Sequence, residues 1–377
     1  MKINNRLDSI EEYHFKTIET MKQKLINEGK EIFDFGIGEP DIKTNEEIVK
    51  EIVRGFKNQG FNRYPPYEGI EELKKSVIEY YKKTYNISLE KDEVLILIGS
   101  KEGISNSFPA FCDVGDISIV PALGYPVYTI ASKLWGVKTY KMPLQKEKEY
   151  LPQYDLIPEA IVQKAKYMIL NYPNNPTGAI ATPEFYKETI EFSKKNNIVV
   201  CNDNAYNEIV NRPEYNISLL MYGKENVIEF GSFSKTFSMT GFRLAYVVGD
   251  RDAIKRILKI KSNVDSGQFI PIQLSGIKAL SVLDEVKKSL ITYKERRESL
   301  ENIMLAKKIE FFKGKGSFYM WCKVPENYST DEFCKELLYK SGIVVTPGYV
   351  FGYQGYGYFR VALTKEKDVI EKAFLRI

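Results

Sequence analysis

Residues 231–246 read GSFSKTFSMTGFRLAY, and this stretch places Lys235 among serine, threonine and glycine residues, eight positions before Arg243. A lysine on a solvated surface tolerates almost any neighbours, so small residues around it indicate a backbone that closely approaches a ligand. The sequence also predicts an anion site and a buried carboxylate near this lysine, both described below. A lysine in such surroundings is suited to form a Schiff base with a carbonyl group. We therefore predict that Lys235 is a nucleophile; the alternative is an ordinary surface lysine in a loop.

The composition is that of an ordinary globular protein. The 377 residues predict a two-domain enzyme at about 150 residues per domain. The net charge of +4 is spread along the chain, without the basic or acidic tail that would indicate a nucleic-acid or membrane partner. The charged N-terminal stretch lacks an apolar segment and the four cysteines form no C-x-x-C pair, so we predict a soluble, cytoplasmic protein.

A single histidine, His14, lies in the charged N-terminal stretch. Catalysis by a Ser-His-Asp or Cys-His arrangement needs a histidine beside a nucleophile. An ordinary zinc site needs several His or Cys ligands close together. The sequence therefore disfavours both chemistries, and we expect no metal site.

Short apolar runs alternate with helical stretches from about residue 91, among them VLILIG, YMILNYP, IVVCND and VIEFGS. This alternation is typical of a parallel sheet covered by helices on both faces. After a long helical stretch, GSFYMWCKV, GIVVTPG and YFRVALT indicate a smaller α+β domain to which the N-terminal segment adds. We predict an N-terminal segment over 1–43, a large domain over 44–284 and a small domain over 285–377.

Four polar stretches follow predicted strands: GSKEG, NNPTG, DNAY and SFSK. Ligands of open α/β sheets bind outside the carboxyl ends of the strands. GSKEG also begins a helix, whose free N–H groups suit a phosphate, although the simpler interpretation is a strand-to-helix turn capped by serine. The residues that could bind this phosphate are Ser100, Lys101, Ser232, Ser234 and Arg243.

Asp203 follows the β-branched run IVVCN and should be at least half buried, so its carboxylate needs a partner. That partner could be a helix N-terminus or the protonated nitrogen of an aromatic heterocycle. Tyr206, three residues later, could reach the same ligand with its hydroxyl group. Asn175 in NNPTG could donate an amide hydrogen to it, or could serve only the turn.

The stretches NYPNNPTG, DNAY and SFSKTFSMTGFRLAY together resemble the pyridoxal phosphate segments of the class I and II aminotransferases. The resemblance covers nearly the whole chain, from GIGEPD to YFRVALT. It implies pyridoxal 5'-phosphate as cofactor and the α/β architecture of the fold type I transferases. In that architecture a large domain carries a mostly parallel, seven-stranded sheet, and a smaller α+β domain is formed by both chain ends.

The resemblance also implies a role for each residue around the cofactor. Lys235 is the catalytic residue that forms the Schiff base. Asp203 holds the ring nitrogen and so keeps the ring an electron sink. Asn175 and Tyr206 bond the phenolic oxygen of the ring. The phosphate is held by Ser100, Lys101, Ser232, Ser234 and Arg243.

Further positions match residues that contact the ring and the substrate in this family. Tyr125, in ALGYPVY, is expected to stack on the ring, with Tyr128 the less favoured choice. Arg360, in YFRVALT, matches the arginine that clamps the substrate α-carboxylate through two hydrogen bonds. Gly38 and Asn175 are expected to assist it.

A homodimer follows from the resemblance, because Tyr64 in NRYPPYEG matches a tyrosine that reaches the phosphate of the neighbouring subunit. On the sequence alone, Tyr64 is better interpreted as an ordinary loop aromatic. The two interpretations differ in whether the active site is complete within one chain.

The implied reaction moves an amino group from an L-amino acid to a 2-oxo acid, with 2-oxoglutarate the expected acceptor, by a ping-pong mechanism. GSKEGI, RYPPYEG, GYPVY and KSNVDSGQF are most similar to the LL-diaminopimelate aminotransferase subgroup. Alternatives are an aspartate, alanine or aromatic aminotransferase, or a C–S lyase with the same cofactor; a non-catalytic sensing domain is disfavoured. Residues that could read the substrate side chain are Tyr67, Glu68 and Gln268.

CNDNAY departs from the pattern C-H-D-A-A-Y of similar sequences. The departures, Asn202 and Asn204, lie on either side of Asp203. We therefore expect the surroundings of this carboxylate to differ from those in proteins with the C-H-D-A-A-Y pattern.

Overall fold

The computed structural model describes residues 5–8, 10, 15–57 and 60–377, so that His14 lies outside the described residues. Its strands are β1 (Phe33–Asp34), β2 (Val94–Leu97), β3 (Ile117–Pro121), β4 (Lys138–Met142), β5 (Ala165–Leu170), β6 (Val199–Asp203), β7 (Val227–Ser232), β8 (Ala245–Gly249), β9 (Phe311–Phe312), β10 (Tyr319–Lys323), β11 (Ile343–Val344), β12 (Thr346–Pro347) and β13 (Tyr358–Ala362). Its helices are α1 (Asn5–Asp8), α2 (Phe15–Asn27), α3 (Glu46–Gly55), α4 (Glu71–Tyr85), α5 (Ser100–Phe111), α6 (Val127–Leu134), α7 (Glu159–Val162), α8 (Pro183–Asn196), α9 (Phe233–Thr236), α10 (Arg251–Lys261), α11 (Ile270–Ser281), α12 (Leu283–Ala306), α13 (Thr330–Ser341) and α14 (Lys367–Phe374).

A seven-stranded sheet forms the larger part of the molecule, in the order β2-β8-β7-β6-β5-β3-β4. β8 is antiparallel to both of its neighbours, and the other four pairings are parallel. The central strands are apolar almost throughout because the sheet is covered on both faces; all six residues of β7 are buried. The predicted fold class, with its mostly parallel seven-stranded sheet, is confirmed.

Local sequence signals set the ends of several covering helices. α8 begins after Thr182, whose hydroxyl accepts the Phe185 N–H, and has Pro183 in its first turn, where the missing N–H costs nothing. It ends at Asn197, which adopts a left-handed conformation with φ 52°. Such caps satisfy backbone groups that helix ends leave without partners.

A second sheet of four strands, in the order β12-β13-β10-β9, is antiparallel and comes entirely from the C-terminal part of the chain. Beside it β1 pairs in parallel with β11, with Phe33 opposite Ile343. Phe33 and Phe35 belong to the same buried cluster as residues of α12, β10, β13 and α14. The N-terminal segment therefore packs with the C-terminal part, while the predicted boundaries at 43 and 284 stay a prediction.

All four cysteines are buried and unpaired. Among the helices of the described residues, none is long and apolar enough to span a bilayer.

Candidate active site

The carboxyl ends of β2, β5, β6 and β7 surround a cavity of about 450 Å³. Each of the four polar stretches predicted from the sequence contributes to its wall. Most of the predicted site residues line it: Gly38, Ser100, Lys101, Tyr125, Asn175, Asp203, Tyr206, Ser232, Ser234, Lys235, Arg243 and Arg360.

Lys235 lies on the single-turn helix α9, directly after β7. The Ser232 hydroxyl accepts the Ser234 N–H at 3.2 Å and caps this turn. The Lys235 Nζ is half-buried and donates to the Gly38 carbonyl oxygen at 2.8 Å. The amine is thus held at the cavity wall by a segment that precedes it by 197 residues.

Asp203 is the last residue of β6, and only 5% of its surface is exposed. Its Oδ2 accepts the Tyr128 hydroxyl at 2.7 Å, whereas its buried Oδ1 has no hydrogen-bond partner among the described residues. Burial raises the pKa of Asp203 to about 6, and the Tyr128 hydrogen bond, the Ala205 backbone N–H and the charge of Lys235 oppose that rise. The ring of Tyr128 also meets that of Tyr125 edge to face, with the two centroids 5.9 Å apart.

Another part of the cavity wall contains hydrogen-bond donors for an anion. Gly99, with φ 81°, precedes α5, and a Cβ atom built there would lie 2.3 Å from Nη2 of Arg243. Glycine therefore allows the guanidinium group to approach the N-terminus of α5, where backbone N–H groups are free. Arg243 itself has φ 55° and donates to the Thr240 carbonyl oxygen at 2.8 Å. This arrangement suits the predicted phosphate site.

Arg360 lies on β13 and is 5% exposed. Its guanidinium group donates to Asn175 Oδ1 and to the Gly36 carbonyl oxygen, each at 2.8 Å. The guanidinium carbon lies 4.1 Å from the centroid of the Tyr319 ring and 4.7 Å from that of Phe351. These contacts hold the charge at the cavity wall, where it can meet a carboxylate.

Tyr319 was missed by the sequence interpretation although it is 2% exposed and lines the cavity. Its hydroxyl lies 3.1 Å from the Tyr206 hydroxyl. Phe351 and Ile37 were missed as well, and Ile37 is 57% exposed at the cavity. Tyr319 stands in GSFYMWCKV, which reads as an ordinary buried strand, so no local signal distinguished it.

The two asparagines that flank Asp203 are almost fully buried, and neither lines the cavity. The Asn202 amide contacts both backbone polar groups of Tyr172 and donates to Glu229 Oε2 at 3.3 Å. Asn202 therefore ties neighbouring strand ends together behind Asp203. The side-chain nitrogen and oxygen of Asn204 have no hydrogen-bond partner.

The residues predicted to read the substrate side chain do not line the cavity of this chain. Tyr67 and Glu68 are exposed, and Tyr64 is 86% exposed. The Gln268 amide donates to the carbonyl oxygens of Phe242 and Arg243, so it serves the backbone next to the phosphate-type site. That contact gives Gln268 a structural role in this chain.

The cavity fits pyridoxal phosphate. The Oδ1 atom of Asp203 is a buried acceptor without a donor, and a protonated ring nitrogen would satisfy it. The α5 N-terminus and Arg243 suit the phosphate, and Lys235 is an amine for the aldehyde carbon. The fold and this cavity therefore define a pyridoxal phosphate enzyme.

The family model for aminotransferases of class I and II matches residues 30–377. The chain is 41% identical to the LL-diaminopimelate aminotransferase of Natranaerobius thermophilus, over all of this chain and 99% of that relative, and 40% identical to the enzyme of that name from Aquifex aeolicus, over all of this chain and 98% of that relative. The solved structure of substrate-bound BacF from Bacillus subtilis has a TM-score of 0.94 at 31% identity, over all of this chain and 97% of that one. The chain belongs to the class I and II aminotransferases and is a pyridoxal phosphate-dependent enzyme, which confirms the predicted family and cofactor.

Asp203→Asn should stabilise the cofactor-free protein at neutral and alkaline pH. Burial raises the pKa of Asp203 from 3.8 to about 6, so folding favours the protonated carboxyl group. The contribution of this group to the free energy of unfolding is therefore fully present below about pH 4 and is lost as the pH rises through 6. Removing the charge should raise the free energy of unfolding by on the order of 3 kcal/mol at pH 8 and by little at pH 4. Urea titrations at the two pH values measure this.

The control is Asp113→Asn, which changes an exposed carboxyl group in the loop between α5 and β3. It should leave the free energy of unfolding within about 0.5 kcal/mol at both pH values. Equal stability of the cofactor-free Asp203→Asn variant and the unaltered protein at pH 8 would contradict the effect of burial on this carboxylate.

Proposed function

We propose that this aminotransferase takes LL-diaminopimelate as amino donor and 2-oxoglutarate as acceptor in two ping-pong half-reactions. The observation that carries the reaction is the short segment from Gly36 to Gly38. The Gly36 carbonyl oxygen accepts Arg360, and the Gly38 carbonyl oxygen accepts the Lys235 amine. A substrate carboxylate on Arg360 would therefore bring its α-carbon close to the Lys235 amine.

Pyridoxal phosphate, when bound, supplies an electron sink for the charge left on the substrate α-carbon. We assign its ring nitrogen to Asp203, its ring oxygen to Tyr206 and Asn175, and its ring face to Tyr125. The Oδ1 atom of Asp203, which has no partner, supports the first assignment. Its phosphate would be held by Ser100, Lys101, Ser232, Ser234 and Arg243.

Lys235 is the residue that accepts the substrate proton in this proposal. Its Nζ would hold the cofactor and, in the presence of the amino acid, would accept the proton of the substrate α-carbon. The hydrogen bond to Gly38 keeps Nζ on the side of the cavity where Arg360 is held. Proximity of this kind removes most of the entropic cost of bringing the reacting groups together.

Arg360 orients the substrate. Asn175 and Gly36 each occupy part of its guanidinium group at 2.8 Å, and the Tyr319 and Phe351 rings limit its movement. A guanidinium group held in this way loses little further freedom when it meets a carboxylate. The apolar rings also reduce the access of water to the ion pair.

The proposed donor rests on the full-length similarity to two proteins named LL-diaminopimelate aminotransferase. The cavity wall of this chain includes polar and charged groups, but it includes none of the residues predicted to contact the distal part of the substrate. Tyr64, Tyr67 and Glu68 form an exposed segment and could complete the neighbouring site of a dimer.

A homodimer is part of this proposal. Tyr64 is 86% exposed, and Phe56 and Phe269, which are 49% and 36% exposed, pack together with Phe61. Exposed aromatic clusters of this kind are typical of contact surfaces. In the proposed dimer, Tyr64 of each chain reaches the phosphate at the other chain's cavity.

Lys235→Ala should lose both turnover and the visible absorption of the lysine-bound cofactor, since no other amine is proposed for that link. Absorption spectra of the purified variant with added pyridoxal phosphate, and assays of amino transfer, measure the two effects. Lys315→Ala, a change at a half-exposed lysine that does not line the cavity, is the control and should keep both. A coloured, active Lys235→Ala variant would refute the assignment.

The amino donor can be identified from the first half-reaction alone. LL-diaminopimelate should discharge the visible absorption more efficiently than aspartate, alanine or phenylalanine, and the amino group should then appear on 2-oxoglutarate. A clear preference for one of the other three donors would replace the proposed substrate. Release of pyruvate and ammonia from cystathionine, without amino transfer, would instead indicate a C–S lyase.

Mixed dimers test the contribution of Tyr64. Tyr64→Ala and Lys235→Ala should each be nearly inactive alone, but random mixing in equal amounts should restore about a quarter of the unaltered activity, because half of the dimers then contain one intact site. The measurement is the specific activity after joint refolding. The control is Tyr353→Ala, a change at an exposed tyrosine that does not line the cavity. This variant should be active by itself, without mixing with Lys235→Ala. An unchanged Tyr64→Ala variant, or no recovery on mixing, would argue against a shared site.

A further inference from the structure

Tyr319 contacts three parts of the active site at once. Its hydroxyl lies 3.1 Å from that of Tyr206, and its ring lies under the Arg360 guanidinium group. A Cβ atom built on Gly38, whose carbonyl oxygen accepts Lys235, would lie 1.9 Å from the Tyr319 hydroxyl oxygen. The proposed function gives the ring of this tyrosine a role beside Arg360 but assigns none to its hydroxyl group.

The position of Tyr319 is set from several directions. β10, on which it lies, pairs with β13 so that Tyr319 is opposite Ala362 and Trp321 is opposite Arg360. The carbonyl oxygen of Tyr319 accepts Nη1 of the buried Arg297 at 2.8 Å. Tyr319 is therefore held at both ends. Arg297 binds its backbone carbonyl, and Gly38 and Tyr206 closely approach its hydroxyl.

We propose that Tyr319 is a positioning residue whose hydroxyl donates to the oxygen of Tyr206 and so directs the Tyr206 hydrogen towards the ring oxygen of the cofactor. A phenol has one hydrogen to donate and an oxygen that accepts. If Tyr206 donates to the cofactor, the hydrogen between the two tyrosines must come from Tyr319. This inference rests on the proposed role of Tyr206.

The surroundings favour a donor role for Tyr206. It is 6% exposed, and burial raises its pKa well above the ordinary value. The charged groups that face this pair are Asp203, which raises the pKa, and Arg360, which lowers it; Lys235 lies on the same cavity. Tyr206 therefore keeps its hydrogen at neutral pH and can donate it.

A hydrogen bond received from Tyr319 makes Tyr206 a stronger donor, because linked hydrogen bonds polarise one another. A stronger donor stabilises negative charge on the ring oxygen and thereby favours loss of the proton shared by the ring oxygen and the Lys235 link. Removing the Tyr319 hydroxyl should consequently raise the pH at which that proton is lost.

The experiment is a pH titration of the visible absorption of purified protein with bound pyridoxal phosphate and no substrate. Tyr319→Phe should raise the midpoint by roughly half a pH unit relative to the unaltered protein. Tyr206→Phe should raise it further. The double variant should match Tyr206→Phe, because a residue that acts through Tyr206 has no effect once that hydroxyl is absent.

Tyr358→Phe is the matched control. Tyr358 lies on β13 in the same small sheet, stacks on Trp321 at 5.2 Å and does not line the cavity, so its midpoint should equal that of the unaltered protein. An unchanged midpoint in Tyr319→Phe, with or without a loss of thermal stability, would overturn the inference. Equal shifts with and without the Tyr206 hydroxyl would also overturn it, because Tyr319 would then act independently.

The titration separates this inference from the proposed function. If the unaltered protein shows no visible absorption that changes with pH, the assigned cofactor site fails and the role of Tyr319 fails with it. If the unaltered protein and Tyr206→Phe titrate at different midpoints while Tyr319→Phe does not differ from the unaltered protein, only the role of Tyr319 is refuted.

Discussion

The backbone of Gly36 and Gly38 is the point on which the active site depends. Their carbonyl oxygens accept Arg360 from β13 and Lys235 from α9, so one short segment holds an amine and a guanidinium group that are 125 positions apart in the chain. The same segment follows β1, which pairs with β11 of the C-terminal part. The parts of the molecule that carry the cofactor groups and the carboxylate clamp are thereby held in one geometry. Small displacements of such a segment would alter both contacts together.

The site also stores unfavourable energy that a ligand would relieve. Asp203 keeps one carboxylate oxygen buried without a donor, and its raised pKa measures the cost of burying the charge. Polar groups of this kind are generally satisfied in folded proteins, so an exception at a cavity wall indicates a position prepared for a ligand. By contrast, the buried Glu229 receives hydrogen bonds from Tyr81, Ser218 and Asn202 within the chain. Its burial serves the fold and not the ligand.

Much of the fold and the cofactor end of the site followed from local sequence. The apolar runs and the polar stretches after them identified the strands whose carboxyl ends meet, because residues at the ends of parallel strands share one edge of the sheet. The residues at the substrate end of the cavity were harder to predict from the sequence. Gln268, predicted as a substrate contact, binds the backbone of Phe242 and Arg243, and Tyr319 gave no signal within its strand. The difference between a structural amide and a ligand contact depends on packing that no local pattern records.

The sequence by itself predicted a mostly parallel sheet covered by helices, the family, and Lys235 and Asp203 as the lysine and carboxylate proposed for the cofactor site. These features are encoded over spans of a few residues, where turn chemistry and hydrophobic periodicity act directly. The tertiary structure alone decided that Tyr319 touches Tyr206, Arg360 and the Gly38 segment, and that Tyr64 does not line the cavity of its own chain. Contacts between residues that are distant in the sequence depend on how the sheets pack, and packing is a property of the whole chain.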